Sequence, residues 1–175
     1  KMSEIHIPGD SECQEFFEIA VEGNPKNTRW ILYAAKGLYF IGSFDGKVFK
    51  PESGPHPLQQ GNCFYASQTF NNIPDTDGRR ILIPWGKAVQ LVNGEPVYKG
   101  MPFNQMMGIP IALTLRTTDE GLRLFSEPVE ELTSLRSKEH VIEQKFIRVG
   151  GDNPLAEISG ELLDMEAEIS PGEAT

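Results

Sequence analysis

The sequence predicts an all-β chain built from sheets of about four strands each. Short strand-like runs recur between turn signals along most of the chain. The 17 Gly and 13 Pro are scattered rather than clustered, as frequent turns require and low complexity does not. Helical spacing is nearly absent, and only 101–107 and 129–136 could hold helical turns.

Residues 15–21 (EFFEIAV) are apolar and partly alternating, and the polar stretch 22–27 breaks the run. A second run covers 29–35 (RWILYAA), with Lys36-Gly37 as its turn. The third, 38–44 (LYFIGSF), closes on Asp45-Gly46, a strong hairpin signal. A short fourth, 47–50 (KVFK), leads into a loop over 51–62 (PESGPHPLQQGN). Connections this short keep neighbours adjacent, so the four strands form one meander. A second unit of the same kind follows. It uses 63–70 (CFYASQTF), a turn at 74–78 (PDTDG), 79–85 (RRILIPW), and a hairpin of 109–117 with 122–125. Between them, 89–92 and 96–98 flank Asn93-Gly94 and predict a small hairpin. Sheets of this size are the unit of a propeller blade. Two blades alone leave open edges, which natural proteins avoid, so the chain is expected to be part of a longer one. Beyond Arg136 the character changes: 140–149 and 162–169 alternate, as strands of a sandwich would.

With 175 residues the chain can bury a sizeable core. The net charge of −9 and the lack of a basic stripe argue against nucleic acid as a partner. No apolar run approaches a membrane span, and no signal-peptide pattern opens the chain. Cys13 and Cys63 match no zinc spacing and are expected to be free. His6, His56 and His140 show no ligand spacing, so no metal and no cofactor is expected.

Glu12 precedes an apolar strand, beside Cys13 and near Asp10 and Glu15. Such a carboxylate can be tuned into a general acid by partial burial or like charge. Read from its neighbours alone, it is an ordinary solvated turn residue, as an acidic residue before a strand usually is.

The motifs downstream point further. Glu12-Cys13 followed by an aromatic strand resembles the Glu-Cys motif of glycoside hydrolase family 32, the invertases, levanases and inulinases. In order, 24–30 (NPKNTRW), 39–46 (YFIGSFDG), 64–70 (FYASQTF), 78–86 (GRRILIPWG), 101–107 (MPFNQMM), 113–116 (LTLR) and 162–168 (LLDMEAE) resemble later segments of that family. The resemblance implies the last blades of a five-bladed β-propeller in 1–136. It implies a linker and the first strands of a β-sandwich in 137–175. It also implies a retaining hydrolase of β-fructofuranosides of the sucrose, levan or inulin type, with Glu12 as general acid/base. Tyr65 and Trp85 would face the sugar, since an aromatic face suits the apolar side of a furanose. Core packing is the alternative reading of both. Cys13 reads as a small buried residue beside the acid, and Met106-Met107 as core. The expected partner is a fructose-containing oligo- or polysaccharide. An extracellular or periplasmic location is favoured over a cytoplasmic one, and the oligomeric state is left open.

Several departures stand beside the resemblance. The usual Glu-Cys-Pro-Asp is here Glu12-Cys13-Gln14-Glu15. Many relatives carry an acidic residue and a lysine before Phe-Tyr-Ala, where this chain has Gln59, Gln60, Gly61, Asn62 and Cys63. The upstream segments that carry the nucleophile and the transition-state stabiliser are absent. Asp10, Asp45, Asp75 and Asp77 all sit in turn contexts and offer no substitute. The chain alone is therefore expected to be inactive. A non-catalytic carbohydrate-binding propeller is the alternative, and a propeller family acting on arabinan or xylan a weaker third.

Overall fold

The computed structural model describes residues 12–61, 63–87, 91–92, 95–96, 100–103, 105–143, 145–160, 162–170 and 172. Expectations that fall on His6, Asp10, Asn62, Asn93-Gly94 and Asn104 lie outside the described residues. The chain divides into two compact units, 1–129 and 130–175.

The first unit is all-β, as expected. Its first meander contains β1 (Glu15–Val21), β2 (Asn24–Tyr33), β3 (Leu38–Phe44) and β4 (Phe49–Pro57). Each pairs antiparallel with the next. The second contains β5 (Phe64–Thr69) and β6 (Arg80–Gly86), then the two-residue pair β7 (Leu91–Val92) and β8 (Glu95–Pro96). It continues with β9 (Met106–Met107), β10 (Ile111–Thr118) and β11 (Gly121–Pro128). Its sheet runs β5-β6-β10-β11, and β9 adds to β6. The two meanders meet at β10. One edge of β10 pairs with β6 over Ile111, Ala112 and Leu113, then with β1 through Leu115 and Val21. The Glu22 N–H donates to the Leu115 carbonyl at 2.8 Å and completes this parallel junction.

Strand periodicity explains the core. On β2, Ile31 and Tyr33 point to one face and Trp30 and Leu32 to the other. The first face packs Phe17, Ile31, Tyr39 and Ile41 against Leu82, Leu113, Leu115 and Leu124 of the second meander. The second face is aromatic. Phe16 stacks on Trp30 at 4.6 Å between centroids, and Phe44 meets both rings edge-on. Tyr39 also crosses between meanders, because the Leu124 N–H donates to its hydroxyl oxygen at 2.9 Å. Burial pushes the Tyr39 phenol above its ordinary pKa, and the Leu124 bond only partly offsets this.

Four expectations need correction. β2 begins at Asn24, not at 29, because Glu22-Gly23 alone makes the turn. A register irregularity at Ala20/Val21 leaves Pro25, Lys26 and Asn27 without ladder partners, which is where a strand tolerates proline. β4 runs on through Pro57, over half of the expected loop. Its prolines fit because, among the described residues, β4 is the edge of the sheet with β3 as its one neighbour. Residues 106–107 form strand β9 rather than a helical turn. They are not core either, since Met106 is 46% and Met107 67% exposed.

In the second unit a short 3-10 helix, Glu130–Leu135, is followed by no strand among the described residues. The expected strands at 140–149 and 162–169 are not formed there. Alternation only selects a face, and a strand exists only when a neighbour accepts its backbone hydrogen bonds.

Candidate functional site

Glu12 lies in the bend before β1, with its side chain exposed. Three backbone segments hold it in place. The Ala35 N–H donates to the Glu12 carbonyl at 3.1 Å, and the Ala66 N–H donates to the Ala35 carbonyl at 2.9 Å. The start of β1, the end of β2 and the middle of β5 are thus tied in series. Cys13 and Ala66 flank this tie at φ of 48° and 45°. Non-glycine residues seldom adopt that left-handed conformation unless the surrounding structure imposes it. Cys13 is exposed and its thiol is free, which corrects the expectation of a buried packing residue.

The aromatic candidates converge on this carboxylate. Tyr65 and Trp85 are register partners on β5 and β6, directly opposite each other. Neighbouring side chains at such a pair share one face of the sheet. Their rings meet edge to face, 5.9 Å apart at 68°. The Tyr65 hydroxyl donates to Glu12 Oε2 at 2.7 Å. Both rings are half-buried, so each still presents surface to solvent. Glu12, Tyr65 and Trp85, far apart in sequence, are therefore brought together.

Sequence reasoning missed several further contacts around the site. Lys87 lies two residues after Trp85, on the same side of the chain, and its Nζ sits 4.2 Å from the Tyr65 ring centroid and 5.7 Å from that of Trp85. Glu15 fastens β1 to β5: both its carboxylate oxygens accept from the Thr69 N–H at 3.0 Å, and Oε1 also bonds the Thr69 hydroxyl. Arg80 donates to that same hydroxyl oxygen at 3.2 Å and lies over the Phe17 ring. Tyr33 and Ser67 share a buried hydroxyl–hydroxyl bond that joins β2 to β5. The step of two from Trp85 to Lys87 was a usable signal for the first. The others depend on pairings between distant segments, which no local pattern encodes.

Gly86 admits β9 beside the site. A Cβ there would lie 2.7 Å from Met106 Cγ and 3.2 Å from the Met106 carbonyl oxygen. Two of the acidic residues considered as substitutes for a nucleophile are occupied in turns. Asp45 accepts from the Lys47 and Val48 N–H groups, and Asp77 is paired with Arg79. These bonds hold both carboxyls below their usual range.

Known proteins resemble this chain in sequence and in fold. Residues 4–128 match the glycosyl hydrolases family 32 N-terminal domain. A levanase from Bacillus subtilis (strain 168) is 33% identical over 178 residues, covering 93% of this chain and 26% of the levanase. An extracellular exo-inulinase from Aspergillus niger is 25% identical over 181 residues, covering 91% of this chain and 32% of the inulinase. In structure, an exo-inulinase from Aspergillus awamori superposes with a TM-score of 0.57 at 24% identity, over 70% of this chain and 26% of that one. The chain thus spans about a quarter of the length of that levanase. The match over most of its residues places the chain in glycosyl hydrolase family 32, within the β-propeller that forms the family's N-terminal domain.

Proposed function

We propose that the protein containing this chain is a retaining β-fructofuranosidase that cleaves levan-, inulin- or sucrose-type substrates. Glu12 is its general acid/base. One observation carries the reading: an exposed carboxylate, hydrogen-bonded at 2.7 Å by a tyrosine that forms an edge-to-face pair with a tryptophan. The aromatic pair offers an apolar surface to a furanose, and the carboxylate can reach the glycosidic oxygen at its edge. Glu12 gives its proton to the leaving oxygen as the glycosidic bond breaks. A second carboxylate, from outside these residues, attacks the anomeric carbon and forms a glycosyl-enzyme. Glu12 then takes a proton from the water that hydrolyses this intermediate. Tyr65 holds Glu12 in place in both steps. The same reading assigns 1–136 to the last blades of a five-bladed propeller, and 137–175 to a linker and the start of a β-sandwich.

Glu12→Gln in the full-length protein is expected to lower turnover of unactivated fructans by about 10²–10⁴-fold while the fold persists. Near-normal turnover excludes Glu12 as the acid. The chain by itself supplies one carboxylate of the pair, and purified alone it is expected to release no fructose from sucrose, levan or inulin.

A second reading is a non-catalytic carbohydrate-binding propeller. The uncharged run Gln59, Gln60, Gly61, Asn62 and Cys63 ahead of β5 favours it, because it stands where the family resemblance implies an acidic residue and a lysine. Saturable fructan binding by the full-length protein without fructose release distinguishes it.

A further inference from the structure

Lys87 follows directly on β6, and its backbone is fixed: its N–H donates to the Cys63 carbonyl at 2.8 Å and the Trp85 carbonyl at 3.1 Å. The side chain is half-buried, so its stem packs while its charged end reaches the rings. That end lies 4.2 Å from the Tyr65 centroid, well within the range of cation–π attraction. The Tyr65 phenol is therefore held by charge at two places. The Lys87 cation sits on its ring, and the Glu12 carboxylate accepts from its hydroxyl at 2.7 Å. The two contacts reinforce each other. A phenol that donates to a carboxylate has a more electron-rich ring, and a ring under a cation is a stronger O–H donor. Trp85 closes the third side of Tyr65 at 5.9 Å.

Resting on the assignment of Glu12 as acid/base, we propose that Lys87 is a positioning residue that acts on Glu12 through Tyr65. It fixes the ring so that the hydroxyl stays on Glu12 Oε2 while the carboxyl moves its proton. Lys87 does not bind the sugar in this scheme. Its loss therefore lowers kcat and leaves KM nearly unchanged.

The test compares Lys87→Met, Lys87→Arg, Tyr65→Phe and the Lys87→Met/Tyr65→Phe double variant in the full-length protein, with levan as substrate. Lys87→Met is expected to lower kcat about fivefold, the scale of one cation–π contact, with KM changed by less than about twofold. Lys87→Arg restores kcat, because a guanidinium also stacks on an aromatic ring. In the Tyr65→Phe background Lys87→Met has no further effect, since the hydroxyl that Lys87 positions is gone. Unchanged kcat in Lys87→Met overturns the proposal. So does a rise in KM with kcat intact, which marks a sugar contact, or an undiminished effect in the Tyr65→Phe background. A spectroscopic arm needs no turnover: the Lys87 ε-methylene protons are expected upfield of ordinary lysines by the Tyr65 ring current, and to return in Tyr65→Leu. Ordinary shifts in the unsubstituted protein overturn the contact itself. Failure of the Glu12 assignment is read separately, as full turnover in Glu12→Gln, and takes this proposal with it. Failure of the Lys87 role alone leaves the Glu12→Gln loss in place.

Discussion

β1 and the segment 162–169 are similar as sequence and opposite as structure. The second alternates more regularly, with Leu163, Met165, Ala167 and Ile169 separated by Asp164, Glu166 and Glu168. β1 breaks its alternation at Phe16 and Ala20. Yet β1 is a strand with seven register partners on β2, and it buries Phe17 and Val21. Residues 162–169 have no strand partner among those described, and Leu163, Met165 and Ile169 are exposed. The break at Phe16 is itself informative, because that ring serves the second, aromatic face of the same sheet. Imperfect alternation here marks a strand that buries one face and packs an aromatic ring on the other. Perfect alternation marks only a capacity to pair.

The largest effect expected from this difference comes from placing one charge in each region. Ile31 is 0% exposed in the middle of β2, whereas Ile169 is 79% exposed. Ile31→Asp buries an unpaired carboxylate and is expected to cost about 4 kcal/mol or more, enough to unfold the first unit. Ile169→Asp is expected to stay within about 0.5 kcal/mol of the parent. Urea titration followed by far-UV circular dichroism measures both. Comparable losses at the two positions break the contrast and place Ile169 in a packed core.

The same contrast explains what could be read in advance. β1 and β3 are legible to the residue, because apolar and aromatic content marks both runs, the polar stretch after Val21 ends the first and the Asp45-Gly46 turn ends the second. β4 was cut short because prolines argue against a strand, and only the sheet order reveals that β4 is an edge. Glu12 was found through motif resemblance, Tyr65 and Trp85 likewise. Their contact was not visible, because it depends on the β5–β6 register across the intervening turn. Glu15 was noted only as a neighbouring charge. Its bonds to Thr69 join positions 54 apart, and local patterns carry no such information. The exposure of Cys13 was missed for the same reason, since its left-handed backbone is imposed by tertiary ties.

A smaller effect sharpens the comparison within the paired region. His56 lies on the proline-rich half of β4, its ring 5.5 Å from that of Tyr39, and its Nε2 has no hydrogen-bond partner among the described residues. Burial lowers its pKa below 6.5, Arg123 lowers it further, and Glu120 partly opposes them. The fold therefore favours neutral His56, and the unfolded chain takes up a proton first as pH falls. The stability this contributes is fully present above pH 6.5 and is lost as pH falls from there through the folded-state pKa. Between pH 7 and 5 the Tm is expected to fall, and His56→Phe should flatten that slope. An unchanged slope in His56→Phe assigns the acid sensitivity to other groups.

The smallest effect tests the reverse of the 162–169 case. There, a local preference for strand finds no partner. At Ala66, tertiary structure overrides a local preference, holding an alanine at φ 45° so that its N–H reaches Ala35. The left-handed region costs an L-residue about 1–2 kcal/mol. Glycine escapes that cost but loses about 0.5–1 kcal/mol more chain entropy on folding. Ala66→Gly is therefore expected to stabilise the first unit by no more than about 1 kcal/mol, a shift readable in the urea midpoint. A loss of stability would mean that the alanine methyl packs well enough to repay its strain. In that case Ala66 is held by its side chain, and the tie that carries Glu12 depends on packing as well as on hydrogen bonds.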